Sequence, residues 1–224
     1  MKKTLVFLCA AAVLGVCGCA ESLVRVAHLS PDAPGVDVWL DGDRALQDVI
    51  YKNVSKRIGV TEGEHELKIT PAGQAQPVLL RNDIVLEGKN AYTVAVTGQM
   101  KLNNLAASVL TDKTHPDDAR TTIRFYHGSP DAPGVDIARA DGAVLFRNVS
   151  FREQSGYLSI EPGTYTLVVN AAGTDNVVLT LPGATFESGA VYTLYATGLV
   201  AENTLTVKAV KDAPIPRWYQ REQK

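Results

Sequence analysis

The chain has 224 residues, of which 46% are hydrophobic and 21% are charged, and its 22 basic and 24 acidic side chains give a net charge of −2. This composition is typical of a globular protein and excludes a disordered or fibrous chain. Since there is no large excess of basic residues, the charge argues against nucleic acid as a partner.

Residues 1–18 have the pattern of a secretory signal peptide. Lys2 and Lys3 form a positive start, an apolar stretch runs from Thr4 to Val16, and Gly18 supplies a small residue at the end. The apolar stretch is too short for a membrane span. We therefore expect these residues to direct export and to contribute nothing to the fold.

The end of this segment, V-C-G-C, resembles the lipobox of bacterial lipoproteins, which is the site of signal peptidase II. The resemblance implies that Cys19 is lipidated and becomes the first residue of the mature chain. Ala20 follows in place of the aspartate associated with inner-membrane retention, which favours a lipid anchor in the outer membrane. A simple cleaved signal with a leftover thiol is the alternative.

One stretch of eleven residues occurs twice, from His28 to Val38 and from His127 to Ile137, with nine identical positions. Such self-similarity indicates duplication of one module. The predicted organisation is a signal peptide at 1–18, the lipidated cysteine and a spacer at 19–23, module 1 at 24–110, a linker at 111–122, module 2 at 123–211 and a tail at 212–224.

Short alternating segments and frequent turn signals predict strands along both modules. In Val24–His28 the apolar positions alternate with period two, as in a half-buried strand. About seven such strands per module, with turns every eight to twelve residues and no helical period, are typical of a β-sandwich. The sequence thus predicts an all-β protein of two tandem immunoglobulin-like antiparallel β-sandwich modules.

The run H-x-S-P-D-A-P-x-V-D-V, followed in each copy by a strand with Tyr-Thr, resembles the bacterial envelope family called domain of unknown function 4397. The resemblance covers both modules. It implies a secreted or lipid-anchored immunoglobulin-like module that often occurs in tandem. It implies no catalytic residues.

The repeated motif carries polar side chains from which a site could be built: His28, Ser30, Asp32 and Asp37 in the first copy, and His127, Ser129, Asp131 and Asp136 in the second. Its prolines and glycine are typical of a rigid loop between two strands. In the structural interpretation, these side chains bond nearby main-chain groups. The His28 ring is then expected to face inward, toward loop carbonyls or Asp37.

Two chemical hypotheses compete with the structural one. Aspartates of the motif and of the next turn could bind Ca²⁺, although their spacing differs from that of an EF-hand. These are Asp32, Asp37 and Asp41 in module 1, and Asp131, Asp136 and Asp141 in module 2. A hydrolase could use histidine, serine and aspartate of the motif, but there is no nucleophile elbow and the site would be duplicated. No other cofactor is indicated.

Two tryptophans are candidate partner contacts. Trp39 is replaced by Ala138 in the second copy, and its strand parity is opposite to that of Val36 and Val38. An outward-facing tryptophan can stack on a sugar or anchor a protein partner, whereas burial between the modules is the alternative. Trp218 lies in the tail, where it could contact a partner or the envelope, or dock on a module.

These observations favour a non-catalytic lipoprotein of the bacterial cell envelope. It would be secreted across the inner membrane, held by its lipid in the outer membrane, and would present binding or structural modules to an envelope protein or a glycan. A calcium- or carbohydrate-dependent adhesion module and a hydrolase are the alternatives.

Overall fold

The computed structural model describes residues 21–113 and 119–212. Module 1 consists of Glu21–His28 (β1), Val36–Leu40 (β2), Asp43–Val49 (β3), Ile58–Thr61 (β4), Gly63–Pro71 (β5), Leu80–Leu86 (β6), Ala91–Thr97 (β7) and Ala106–Asp112 (β8). Module 2 consists of Thr121–His127 (β9), Val135–Arg139 (β10), Val144–Val149 (β11), Leu158–Ile160 (β12), Gly163–Ala171 (β13), Val177–Phe186 (β14), Val191–Thr197 (β15) and Thr206–Lys211 (β16). A 3₁₀ turn, Met100–Leu102, follows β7.

Each module is a sandwich of two four-stranded sheets. The outer sheets have the orders β3-β2-β5-β6 and β11-β10-β13-β14, and the inner sheets have the orders β4-β1-β7-β8 and β12-β9-β15-β16. This architecture confirms the prediction of an all-β protein with two tandem sandwiches. Within the described ranges, no helix has the length and hydrophobicity required to cross a bilayer.

The sheets are not purely antiparallel as predicted. β1 runs parallel to β7, and β9 runs parallel to β15, while the other neighbouring strands are antiparallel. This parallel pair forms because the chain leaves β1, passes through the other strands and re-enters the inner sheet in the original direction. Parallel neighbours need a long crossover connection of this kind.

Alternation along the strands places one apolar face of each sheet in the core of its module. In β2, Val36, Val38 and Leu40 point inward and pack against residues of β5 such as Leu67 and Ile69. Full burial of one such side chain stabilises the folded state by roughly 1.5–3 kcal/mol. The same alternation directs the intervening side chains of β2 to the open face of the outer sheet.

The inner sheets pack against each other, so the prediction of a half-buried first strand is wrong. All of β1 after Glu21 is buried, because the second module covers the face that would otherwise be exposed. Residues of both modules share one apolar cluster: Ala27, Leu29, Ala95, Leu110, Tyr126 and Tyr195. The two sandwiches therefore form four stacked sheets.

The observed strands extend beyond the predicted module boundaries. β1 starts at Glu21, β8 continues to Asp112, and β9 begins at Thr121, which places both ends of the expected linker in strands. The polar character of 111–122 suggested a linker, but Asp112 is a buried strand residue. The signal segment, Cys19 and Trp218 lie outside the described residues.

Candidate functional site

The two motif histidines are completely buried and bond their own loops. His28 Nε2 lies 2.8 Å from the carbonyl oxygen of Pro34, and His127 Nε2 lies 2.9 Å from that of Pro133. Burial lowers the pKa of both imidazoles, since a charged ring would lose its hydration. The neutral ring donates its proton to the loop carbonyl and fixes the turn after β1 or β9.

Asp32 joins the motif loop to the segment after β7. Its carboxylate accepts hydrogen bonds from the main-chain N–H groups of Met100 and Lys101, at 2.7 and 3.0 Å, and a longer one from the Ser30 hydroxyl at 3.3 Å. Asp131 accepts two equivalent main-chain hydrogen bonds at 2.9 Å, from Val200 and Ala201. Both copies thus use this aspartate to connect two loops at one end of the sandwich.

Asp37 performs a similar task on the outer sheet. Its carboxylate accepts the N–H groups of Asp48 at 2.9 Å and Gly73 at 3.0 Å, and pairs with Arg44 at 3.2 Å. Burial alone would raise the pKa of Asp37, but these donors outweigh it and the pKa is lowered. Asp136 accepts equivalent main-chain bonds from Asn148 and Gly173, which lower its pKa as well.

These bonds direct the side chains of the motif to different partners within the module. The Ser30 hydroxyl points to Asp32, while His28 points to Pro34, so no serine–histidine relay is formed. The third aspartate, Asp41, bonds His65 and the Glu66 amide elsewhere. Within residues 21–113 and 119–212, no three acidic, histidine or cysteine side chains converge on a possible metal position.

A buried network of charges connects the inner sheets. Asp112 at the end of β8 accepts from arginines of both modules: Arg57 at 2.7 Å, Arg25 at 3.3 Å and Arg124 in a short contact. Asp212, its counterpart in module 2, lies 2.6 Å from Arg25. Each strand-end aspartate therefore receives a guanidinium from the opposite module.

The electrostatic environments of the two aspartates differ. Burial tends to raise the pKa of Asp112, but three guanidinium groups outweigh it and lower the pKa. Asp212 has fewer cationic neighbours, and burial raises its pKa. Asp112 is the centre of charge compensation in the interface, and Asp212 is the weaker acid.

Trp39 lies half-buried on the open face of the outer sheet of module 1. Its indole Nε1 donates to the Thr70 hydroxyl at 2.9 Å, the Lys68 ammonium is 4.4 Å from the ring centroid, and the Arg44 guanidinium carbon is 5.7 Å from it. The alternative of burial between the modules is wrong, because β2 belongs to an outer sheet. A groove of about 490 Å³ is lined by edge strand β3, including Arg44, and by residues 53–56.

The family model described as Domain of unknown function (DUF4397) matches residues 22–138 and 121–217. The chain belongs to this family. The resemblance noted from the repeated motif is thereby confirmed. A comparison with curated proteins finds no significant match.

Three solved structures align with the chain at very low similarity. The first is a family-26 carbohydrate-binding module of Eubacterium rectale Amy13K in complex with maltoheptaose, with 12% identity, coverage of 87% of this chain and 98% of that one, and a TM-score of 0.26. The second is the Bacillus anthracis TIE protein, with 9% identity, coverage of 80% of this chain and 34% of that one, and a TM-score of 0.27. The third is a candidate cell adhesion protein from Bacteroides fragilis, with 9% identity, coverage of 86% of this chain and 98% of that one, and a TM-score of 0.21. The chain spans about a third of the TIE protein. Similarity at this level does not identify a shared function.

The two DUF4397 modules share their motif loops but differ on their outer faces. Trp39 pairs across strands with Lys68 in module 1, whereas the equivalent pair in module 2 is Ala138 and Val168. The pairing of an aromatic with a cationic residue is therefore not repeated at the equivalent positions of the second DUF4397 module.

The sequence prediction missed the interface between the DUF4397 modules. The sequence signal was an arginine flanked by apolar residues at the same place in two strands, Arg25 and Arg124. A pair of aspartates a hundred residues apart, Asp112 and Asp212, follows the same repeat. A charge repeated within a buried strand indicates that both copies of the unit contain a buried partner for it. Neither aspartate could be assigned without knowing that the inner sheets pack together.

Proposed function

We propose that this protein is a non-catalytic glycan-binding lipoprotein of the bacterial cell envelope. Its two DUF4397 modules act as one rigid unit, and the outer sheet of the first module contacts the glycan through Trp39. The observation that carries the proposal is the position of Trp39, which lies on an open sheet face among hydrogen-bonding side chains.

The motif residues support a binding role over catalysis. His28, Ser30 and Asp37 are buried and hydrogen-bonded within the protein, so their side chains serve the loops. A catalytic base has to reach a substrate proton directly or through one water. The residues that could have formed a hydrolase site do not meet this requirement.

The surface around Trp39 suits an extended ligand. An indole presents a broad apolar face together with a polar edge, and this combination suits recognition of amphipathic partners. A sugar ring has the same dual character, with C–H groups on its faces and hydroxyls at its rim. Since the sheet face is open instead of deeply concave, we infer an oligosaccharide chain as ligand in place of a small enclosed metabolite.

The envelope location rests on the V-C-G-C sequence and on the duplicated family module. A lipid on Cys19 would hold the modules at a membrane surface, because each buried methylene contributes about 0.8 kcal/mol. The first strand begins at Glu21, directly after the proposed anchor. Such a short connection would hold the sandwich close to the bilayer.

Affinity electrophoresis of the purified chain in gels with cellulose derivatives, starch, pectin or alginate tests this function. We expect at least one polysaccharide to retard the protein, with Trp39→Ala weakening the affinity roughly thirtyfold, as expected for an aromatic hot spot. Val85→Ala is the matched control, because Val85 is 66% exposed on the same outer sheet. Equal loss in both variants, or retardation that is insensitive to Trp39, would refute the assignment.

A further inference from the structure

Resting on the proposed glycan-binding role, we propose that the ligand is an acidic glycan whose carboxylates are recognised by a row of cationic side chains beside Trp39. The row crosses the four strands of the outer sheet in the order Arg44, Trp39, Lys68 and Arg81, and is called the cationic row below. Strand register places these four residues directly next to one another.

The register fixes both the direction and the length of the cationic row. Trp39 is opposite Arg44 on β3 and opposite Lys68 on β5, and Lys68 is in turn opposite Arg81 on β6. Directly opposed residues lie on the same face of a sheet. With neighbouring strands 4.7–4.9 Å apart, the row extends roughly 14 Å, which matches a short oligosaccharide lying across the strands.

The cations of the row lie at the surface, where Arg44 pairs with Asp37 and Arg81 pairs with Glu66. Arg44 and Arg81 are exposed, and Lys68 and Trp39 are half-buried. Within the described residues, no carboxylate lies within salt-bridge distance of the Lys68 ammonium, which contacts only the Trp39 ring among the charged and aromatic interactions. A ligand carboxylate that draws this ammonium aside would free the indole face for a sugar ring. A partly exposed cation–π contact of this kind is weak enough to be displaced by a ligand.

Acidic side chains next to the row favour a glycan over a dense polyanion. Glu66 pairs with Arg81, and Asp83 is opposite Glu66. These carboxylates repel the phosphates of DNA and the carboxylates of an acidic glycan alike, but the backbone of DNA has no free hydroxyl groups that could donate hydrogen bonds to them. The hydroxyl groups of a sugar can donate hydrogen bonds to them, so a ligand that alternates carboxylates with hydroxyls fits the mixed surface best.

Module 2 lacks the row and provides an internal comparison. The residues at the matching positions are Val144, Ala138, Val168 and Thr180, none of which is charged. An acidic glycan should therefore bind once per chain. A site built from the duplicated motif would instead bind twice.

We would titrate the full chain in detergent with oligogalacturonate and with its methyl ester and follow binding by calorimetry. The comparison separates recognition of the carboxylates from general sugar binding. We expect one binding site, an affinity for the acid at least about tenfold above that for the ester, and weaker binding as salt increases. Lys68→Gln/Arg81→Gln should remove this preference. Lys101→Gln/Arg147→Gln, which removes the same charge from exposed positions elsewhere, should retain it.

The alternative outcomes distinguish the two proposals. Equal, Trp39-dependent binding of acid and ester would overturn the acidic ligand but leave the glycan-binding function in place. A lack of any Trp39-dependent binding to the sugars would overturn both. A third outcome is that a thymidine oligonucleotide binds more tightly than oligogalacturonate and that Lys68→Gln/Arg81→Gln abolishes this binding. It would overturn the proposal of an acidic glycan ligand and identify the row as a nucleic-acid contact.

Discussion

The guanidinium of Arg25 in the first module lies 2.6 Å from the carboxylate of Asp212 in the second, and both side chains are almost fully buried. The two residues are 187 positions apart in the chain. A reciprocal contact joins Arg124 to Asp112. Removing one partner while the interface stays closed would leave the other charge buried without compensation. The ion pairs and the shared apolar cluster together connect the two sandwiches.

Asp112→Asn should destabilise the whole protein. The change leaves three buried guanidinium groups without their shared carboxylate, and breaking a buried pair typically costs about 3–5 kcal/mol. Urea unfolding followed by circular dichroism measures the free energy. Lys211→Gln, which breaks an exposed pair with Glu187, should leave the free energy of unfolding almost unchanged. Two separate transitions in the wild-type protein would contradict the coupling.

His28 and His127 should make the protein less stable at acidic pH. Burial lowers the pKa of both rings below the ordinary value of 6.5. Their contribution is complete above pH 6.5, since both states are then neutral, and it is lost as the pH falls from 6.5 through the folded-state pKa. Each histidine can change the free energy of unfolding by at most about 1.4 kcal/mol per pH unit.

His65 changes the pH dependence of stability in the opposite direction, so the measurement requires a variant that lacks it. Although burial alone would lower the pKa of His65, its hydrogen bonds to Asp41 and to the Thr61 carbonyl raise it. It stabilises the fold fully below pH 6.5 and less as the pH rises through the folded-state pKa. In the His65→Gln variant, the free energy of unfolding should decrease as the pH is lowered from 7.5 to 5. Adding His28→Gln to this variant should make the decrease smaller. An unchanged slope would contradict the assignment.

Asp37→Asn should destabilise module 1, and calcium should not stabilise the wild type. The carboxylate of Asp37 is occupied by two main-chain N–H groups and Arg44, and removal of its charge should cost about 1–3 kcal/mol. Because its pKa is lowered, this contribution is present above the unfolded pKa of about 4 and is lost on acidification through the folded-state pKa. Thermal melts in Ca²⁺ and in EDTA should coincide. A rise of several degrees in Ca²⁺ would revive the metal hypothesis.

Cys19→Ala should prevent attachment of lipid. Labelling of cells with radioactive palmitate should mark the wild-type protein and leave this variant unlabelled. Cys17→Ala is the matched control and should still be labelled, because the lipobox resemblance assigns the modified residue to Cys19. Labelling of the Cys19 variant would contradict the proposed anchor.

The repeat and the alternating strands were sufficient to predict two all-β modules, because both are visible in the sequence without knowledge of how the strands pack. Packing between the modules could not be predicted in this way, since the alternation in β1 indicates which side chains face the core but not what covers the other face. One clue was the replacement of Leu29 by glycine in the second copy. A Cβ at Gly128 would lie 2.9 Å from the Leu29 side chain, so Leu29 of one module fills space that only glycine leaves open in the other.

The candidate site was only partly predictable. Parity along β2 indicated an outward-facing Trp39, but the neighbours Arg44, Lys68 and Arg81 come from three other strands and depend on register. Register is a property of the assembled sheet and is not determined by one strand alone. The motif histidines bond carbonyls only six residues away, within their own loops, whereas the main-chain partners of Asp32 lie almost seventy residues away and could not be assigned from the motif.

The fluorescence of Trp39 during a glycan titration tests the central claim most directly. The chain has two tryptophans, so Trp218→Phe leaves Trp39 as the single indole. Addition of oligogalacturonate to this variant should shift or quench the emission in a saturable way, with the same dissociation constant as calorimetry. Binding that calorimetry detects while the emission of Trp39 stays constant would place the glycan elsewhere and contradict the account.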